Sequence, residues 1–573
     1  MFTSSRRLLA AVIFCATFIR FFAAWKLELF PDETLYAWQS STMPSSFCPH
    51  PPIVLMMCKA GITLWGHNEF GVRFFSVLFS TLMLWPLWIV AREIGDSVQN
   101  SNGENSNSGN SGGASSGGES VAFWTVLAAV AAPLYFTFGA ITTPDGVQLL
   151  FWATALLSAW RALNTAQLKW WLATGVVLGI GLFAKYVLIL FLPALLCCLL
   201  LAPQWRPQLK TAAPWLCIFF ALIIFLPPFL RHEYLNDWIT THYHLSSRQT
   251  RQFPNGRDIG VYQLYHIAYY SPLLYALTLV ATIWALREGW KTRASGLVFV
   301  ASFAVVPYIF FALIASVTAR GLSREQWDAP AYLAAFIAFA LWAQHADKGE
   351  TLSEMFNKRA RWQTAAVATG FAMSFLVLGE SAFMMLSAPL GQIPFINGVY
   401  GAKPLSQAID VRQSNAQFIK ANNEKPDQNA VFPTGFRADI LVGDNFASTL
   451  SYAFYGSRLP FYTAGEKFNQ KYGLVNVLNR IEIMSNASPS FAQLHQGQNI
   501  LYIEGKDDRK YKQKQQVRRI LDSLRPHFRT VHFGRPIEIR RGRQYVRSFL
   551  SVECEGLTST PEVWVSHPTI FSR

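Results

Sequence analysis

Residues Ser295–Val317 read SGLVFVASFAVVPYIFFALIASV, a stretch without a single charged side chain. A helix of roughly 20 apolar residues crosses the hydrocarbon core of a bilayer, so this run is long enough to span one. Runs of the same kind recur from Leu8 to Leu386. Spans are expected near Leu8–Trp25, Val72–Ala91, Val121–Ala140, Gly146–Ala162, Trp170–Ala184 and Tyr186–Ala202. Five more follow at Ala212–Leu230, Tyr269–Leu286, Ser295–Val317, Ala329–Trp342 and Thr364–Leu386, about eleven in all. The composition of the 573 residues agrees, with 51% hydrophobic and only 14% charged. A soluble domain carries about 25% charged residues.

Beyond Pro389 the sequence turns polar and mixed, with no further spanning run. The expected architecture is therefore a polytopic α-helical membrane body, residues 1–388, followed by a soluble α/β domain, residues 389–573. Strand-like runs lie at Ala430–Phe436, Asn499–Ile503, Val531–Ile539 and Tyr545–Cys554, and helical runs at Ser406–Asn422 and Tyr511–Leu524. From Leu390 onward 24 Lys and Arg stand against 15 Asp and Glu. A basic face beside a membrane can hold anionic headgroups, and the same charge can serve solubility alone. No nucleic-acid motif accompanies it.

Charge decides sidedness. Alternate connections carry Arg6 and Arg7, Arg92, Arg161 and Lys169, Arg206 and Lys210, then Arg287, Lys291 and Arg293, and finally Lys348, Lys358, Arg359 and Arg361. Short loops rich in Lys and Arg stay in the cytoplasm. The other connections and the C-terminal domain are then periplasmic, and the chain belongs in a bacterial inner membrane. The first apolar run reads as an uncleaved span, since it ends at Trp25 without a small-residue cleavage site. The Ser/Asn/Gly-rich segment 97–120 reads as a flexible cytoplasmic loop. Of seven cysteines, four lie inside apolar runs; Cys48 and Cys58 are close enough in sequence to consider as a bridge.

Charged groups at a membrane edge are costly and mark candidate sites. On the expected periplasmic side lie Asp32 and Glu33 after the first span, His50 before Pro51-Pro52, and Asp145 after the third span. Lys185 ends the fifth span, Arg231, His232 and Glu233 follow the seventh, and Arg320, Arg324 and Trp327 follow the ninth. A carboxylate within hydrogen-bond reach can take a proton from an acceptor hydroxyl, and cations can steady a departing phosphate. Bland readings stand beside these. Asp32, Glu33 and Asp145 are also suited to capping helices, and Lys185 to snorkelling from a helix end. No His, Cys, Asp or Glu cluster has clear metal-ligand spacing, so neither metal nor cofactor is expected.

Four stretches also carry a resemblance. They are Asp32-Glu33-Thr-Leu-Tyr-Ala-Trp, then His50-Pro-Pro-Ile with Glu69-Phe-Gly-Val-Arg73. Thr143-Pro-Asp145 with Ala184-Lys185-Tyr186 comes next, and Gln326-Trp327-Asp-Ala-Pro330-Ala-Tyr332 closes the set. In this order they resemble the GT-C glycosyltransferases, which include the dolichyl-phosphate-mannose protein mannosyltransferases and the bacterial lipid A aminoarabinose transferase. The resemblance implies inverting transfer of a sugar from a polyprenyl-phosphate donor to a glycolipid, glycan or protein acceptor. It implies that Asp32 is catalytic, that Glu33 and Asp145 line the same cavity, and that Lys185 approaches the donor phosphate. His50, Arg320 and Trp327 are the remaining candidate substrate contacts. Gln326 stands where the family pattern has Asn. The competing expectations are a transporter or flippase of lipid-linked sugars, and a non-catalytic assembly protein on the same fold.

Overall fold

The computed structural model describes residues 2–42, 44–47, 50–101, 114–242, 244–245, 256–317, 326–344, 352–383, 401–422, 436–443, 446–456, 459–463, 495–504, 520–534, 536–541 and 544–559. The chain forms two units. One comprises Met1–Lys26 with Ser45–Ala382, the other Leu27–Pro44 with Phe383–Arg573. The first-loop segment Leu27–Pro44, expected inside the membrane body, thus makes its contacts with the C-terminal residues.

The first unit is helical. Among the described residues, five helices are long and apolar enough to cross a membrane: Arg6–Lys26, Glu69–Asn100, Ala213–Leu235, Ser295–Ser316 and Arg359–Ser381. A sixth joins them if the bent pair Arg257–Tyr270 and Pro272–Thr292 is counted as one span. The other expected spans correspond to shorter apolar helices at Gly117–Ala131, Leu168–Leu182, Tyr186–Leu201 and Ala329–Gln344, and to the helix Pro144–Thr165. Local chemistry explains the shortening. The third expected span breaks at Ala132, which is extended, and restarts at Pro133, whose ring carries no N–H for the ladder. The eighth turns through 113° at Ser271, a non-glycine residue at φ 69 ahead of Pro272. One apolar helix, Ile53–Trp65, has no counterpart among the expected spans.

Close packing of these helices rests on small residues. A Cβ on Gly175 would stand 2.4 Å from the carbonyl oxygen of Cys217, and one on Gly61 would stand 2.0 Å from that of Gly71. The segment 97–120 differs from its expected form as a single flexible loop. The helix Leu84–Ser101 runs into it from one side and the helix Ala114–Ala131 from the other. Tertiary contacts extend both ends: Val98 is buried, and buried Glu119 accepts Arg6 at 2.5 Å and Arg92 at 3.2 Å. Cys48 lies outside the described residues, and the considered bridge to Cys58 with it.

The second unit holds a six-stranded mixed sheet. Its strands are β1 (Ile440–Gly443), β2 (Phe461–Thr463), β3 (Ile500–Glu504), β4 (Phe528–Phe533), β5 (Ile537–Arg541) and β6 (Gln544–Leu557). They run in the order β2-β1-β3-β6-β4, with β5 also pairing β6. β1 is parallel to β2 and β3, and the pairs made by β6 are antiparallel. Alternate residues serve two cores, as the pleat requires. Leu441, Leu501 and Ile503 join Leu405 and Ile409 of the helix Ala402–Asn422, while Ile440, Val442, Ile500 and Tyr502 join Leu524 and Phe528. Burial on both faces explains why β1 escaped notice, since it lacks an apolar-polar alternation. The expected strand Ala430–Phe436 is described only at Phe436, and the expected helix Tyr511–Leu524 only from Ile520. The run Val531–Ile539, expected as one strand, divides into the end of β4 and the start of β5.

Candidate active site

In the membrane unit, Thr143-Pro144-Asp145 begins the helix Pro144–Thr165. Thr143 is its N-cap, its hydroxyl accepting the Gly146 N–H at 3.1 Å, with Pro144 in the first turn. The cap is therefore Thr143, and the Asp145 carboxylate is left to pair with the Lys185 ammonium. Only 7% of the Asp145 surface and 6% of the Lys185 surface is exposed, so the pair lies inside the protein. Lys185 does not reach outward to the membrane surface. Its ammonium also stands 5.5 Å from the centre of the Trp327 ring, within range of a cation–π attraction.

The chain around Lys185 is held from several sides. The helix Leu168–Leu182 stops, Lys185 is extended, and a short 3-10 turn starts at Tyr186. Ile53, three residues after His50, donates its N–H to the Phe183 carbonyl at 3.0 Å. This bond ties the half-buried His50-Pro-Pro turn to the strand of chain that presents Lys185. Tyr186 donates its hydroxyl to the Phe47 carbonyl at 2.8 Å. The Phe47 ring packs against Phe183, Phe225, Phe229 and His232, with centroids 5.2–6.3 Å away. The loop carrying Phe47, unremarkable as sequence, is a wall of this region. Glu233 has a local structural task, accepting the Thr240 and Thr241 N–H groups at 3.2 and 2.8 Å. Arg320 and Arg324 lie outside the described residues.

One residue beyond Trp327, Asp328 anchors a network that the sequence reading missed. Both Asp328 and His266 are fully buried. His266 Nε2 lies 2.9 and 3.1 Å from the two Asp328 oxygens, and Nδ1 lies 2.7 Å from the Tyr262 carbonyl. Which ring nitrogen donates depends on the tautomer, so the imidazole can offer a proton either to the Asp328 carboxylate or to the Tyr262 carbonyl. The Tyr262 hydroxyl donates to Asp328 at 2.5 Å. The imidazole lies among Tyr270, Tyr275, Tyr308 and Tyr332, the Tyr270 and Tyr332 rings being stacked 3.9 Å apart. The available signal was a lone histidine within Tyr262-Gln-Leu-Tyr-His-Ile-Ala-Tyr-Tyr270 and an aspartate inside the quoted Gln326–Tyr332 motif.

In the second unit, Pro31-Asp32-Glu33 opens the helix Pro31–Thr42. Asp32 is exposed, whereas Glu33 is fully buried. The Phe30 N–H donates to Glu33 at 2.9 Å, one half of a capping box at the start of the helix. The two neighbouring carboxylates thus have different surroundings: Asp32 is exposed, and Glu33 is engaged in holding its own helix.

Comparisons with known proteins follow the same lines. The family model described as dolichyl-phosphate-mannose-protein mannosyltransferase matches residues 115–230, which contain Asp145 and Lys185. An undecaprenyl phosphate-alpha-4-amino-4-deoxy-L-arabinose arabinosyl transferase of Pseudomonas fluorescens is 27% identical over 316 residues, covering 49% of this chain and 51% of that protein. Its counterpart from a Pseudomonas aeruginosa strain is 28% identical over 316 residues, with the same coverage. The chain therefore matches about half the length of these curated relatives. The crystal structure of ArnT from Cupriavidus metallidurans in the apo state superposes with a TM-score of 0.59 at 16% identity, covering 96% of this chain and 98% of that one. The same protein bound to undecaprenyl phosphate gives 0.56 at 14% identity, with the same coverage. At these identities the structural likeness is one of fold. The chain is thus similar in fold to ArnT, and parts of its sequence are similar to the mannosyltransferase model and to the arabinosyl transferases.

Proposed function

We propose that the protein is an inverting glycosyltransferase that moves a sugar from a polyprenyl-phosphate donor to an envelope acceptor at the periplasmic face of the inner membrane. The observation that carries this reading is the buried Lys185 cation beneath Trp327, inside the segment matched by the mannosyltransferase model. A buried cation balanced by one carboxylate is suited to receive a lipid phosphate. The names of the relatives supply the donor class, an undecaprenyl phosphate-linked sugar.

In this reading Asp32 is the general base on the acceptor hydroxyl, and its exposure leaves it accessible for that task. Lys185 and Arg320 offset charge on the leaving phosphate, while Asp145 fixes the Lys185 ammonium. His50 and Trp327 complete the substrate contacts, and Glu33 holds the helix that carries Asp32. The acceptor is a lipid A or lipopolysaccharide core, another glycan, or a protein hydroxyl. Neither a metal nor a cofactor takes part. The test is mass spectrometry of envelope glycolipids and glycoproteins from a deletion strain, in which one sugar should be lost and return on complementation. An unchanged envelope would refute the reading.

One observation favours the second reading, transport or flipping of a lipid-linked sugar. The helix bent by 113° at Ser271 is a discontinuous element of the sort transporters use. Under that reading the Asp32→Asn protein would still move its lipid-linked cargo and would have no transfer activity to lose.

A further inference from the structure

The carboxylate pair of the first loop is built into the C-terminal unit, and two contacts tie it there. The Glu28 carboxylate accepts the Gly401 N–H at 3.0 Å and the Lys403 N–H at 3.2 Å. These two amides begin the helix Ala402–Asn422, whose first N–H groups have no partner within the helix. Glu28 therefore caps a helix some 370 residues away in sequence, where a negative charge is also favoured by the helix dipole. One residue later, the fully buried Leu29 donates its N–H to the Tyr455 hydroxyl at 2.8 Å, at the end of the helix Phe446–Tyr455. The helix Pro31–Thr42 then lays Leu35 against Leu450, with Trp38, Ala453 and Phe461 around them.

Polar ties come before Asp32 and apolar packing after it, and all of them end on residues beyond 400. The first span, ending at Lys26, carries none of these contacts. We propose that Glu28 and Tyr455 are positioning residues that hold the Asp32 helix on the C-terminal unit, making that unit the carrier of the general base. This inference rests on the glycosyltransferase reading above and assigns the C-terminal unit a part in the chemical step.

Donor and base then depend on different parts of the chain. Loosening the tie should lower turnover and leave ground-state binding of the lipid phosphate intact, because Lys185 belongs to the membrane unit. Misplacement of a catalytic group by about 1 Å costs around 100-fold in rate, so a loosened helix should cost roughly 10- to 100-fold.

The test uses the full-length protein. Product formation is followed by labelling of the envelope in the complemented deletion strain, and binding with undecaprenyl phosphate as the probe on purified protein. Hydrogen exchange reports on residues 27–44. Glu28→Ala and Tyr455→Phe should each lower product formation at least tenfold at equal protein level, leave undecaprenyl phosphate affinity within twofold, and speed exchange across 27–44. Glu28→Gln keeps an acceptor oxygen for the two amides and should restore both rate and protection. Normal product formation in Glu28→Ala and Tyr455→Phe, while Asp32→Asn is inactive, would overturn the inference and leave the glycosyltransferase reading in place. Normal product formation in Asp32→Asn would instead overturn Asp32 as base, and the inference with it. Equal losses of rate and of undecaprenyl phosphate affinity would mark the tie as general stability and also overturn the inference.

Discussion

Lys185 and Asp145 form an ion pair across 40 residues of sequence, both almost wholly buried, with the Trp327 ring over the ammonium. Removing one partner of a buried pair leaves an uncompensated charge, at a cost of about 3–5 kcal/mol. Lys185→Ala and Asp145→Ala should each lower the thermal unfolding midpoint of the detergent-solubilised protein. The double substitution Asp145→Ala with Lys185→Ala should lose less than the two single changes added together. Lys185→Ala should also weaken undecaprenyl phosphate binding. Additive losses with unchanged binding would contradict both the coupling and the assigned role.

Asp32→Asn keeps the shape of the side chain and removes the proton acceptor. A general base contributes about 10²- to 10⁴-fold, so turnover should fall within that range. Donor binding should change little. A purified variant with normal turnover would transfer attention to Glu33, whose carboxylate is engaged by the Phe30 N–H.

Asp328 accepts from Tyr262 and faces His266, so its loss strands two buried groups at once. Asp328→Ala should destabilise the membrane unit by about 3–5 kcal/mol, as expected for a broken buried pair. Asp328→Asn retains one acceptor oxygen and should cost less. Trp327 is its chain neighbour, so tryptophan fluorescence in the presence of undecaprenyl phosphate should change in Asp328→Ala. Unfolding at the wild-type midpoint in Asp328→Ala would show the network to be energetically idle.

Burial raises the proton affinity of Glu28 above that of an ordinary glutamate, and the hydrogen bonds from Lys403 and Gly401 only partly oppose it. The folded unit therefore binds this proton more tightly than the unfolded chain. By linkage, the Glu28 contribution to stability falls as pH rises through the window just above the usual carboxylate range. Glu28→Gln should remove that part of the pH slope and be relatively more stable at pH 7 than at pH 4. Thermal melts of both proteins across that range would expose the opposite sign directly.

Alternating Lys and Arg loops fix the expected sidedness. A reporter fused after Arg573 should behave as periplasmic, and one inserted within 102–113 as cytoplasmic. The reverse at either point would break the topology.

Sequence alone determined the helical membrane body, the polar C-terminal domain and the short motifs that hold Asp32, Asp145, Lys185 and Trp327. Apolar run length and loop charge are local properties, so they survive without knowledge of the fold. Helix interruptions were less legible. Pro133 and Pro272 are visible in the chain, yet the 113° turn at Ser271 depends on what packs around it. Tertiary structure alone decided the partners: Asp145 with Lys185 rather than with its own helix end, and His266 with Asp328 from 62 residues away. It also decided that Leu29 meets Tyr455 across 426 residues, which attaches the first loop to the last part of the chain. A buried charge or N–H must find a partner, but sequence spacing does not say which one. Helix packing settles that by deciding which polar groups leave water together.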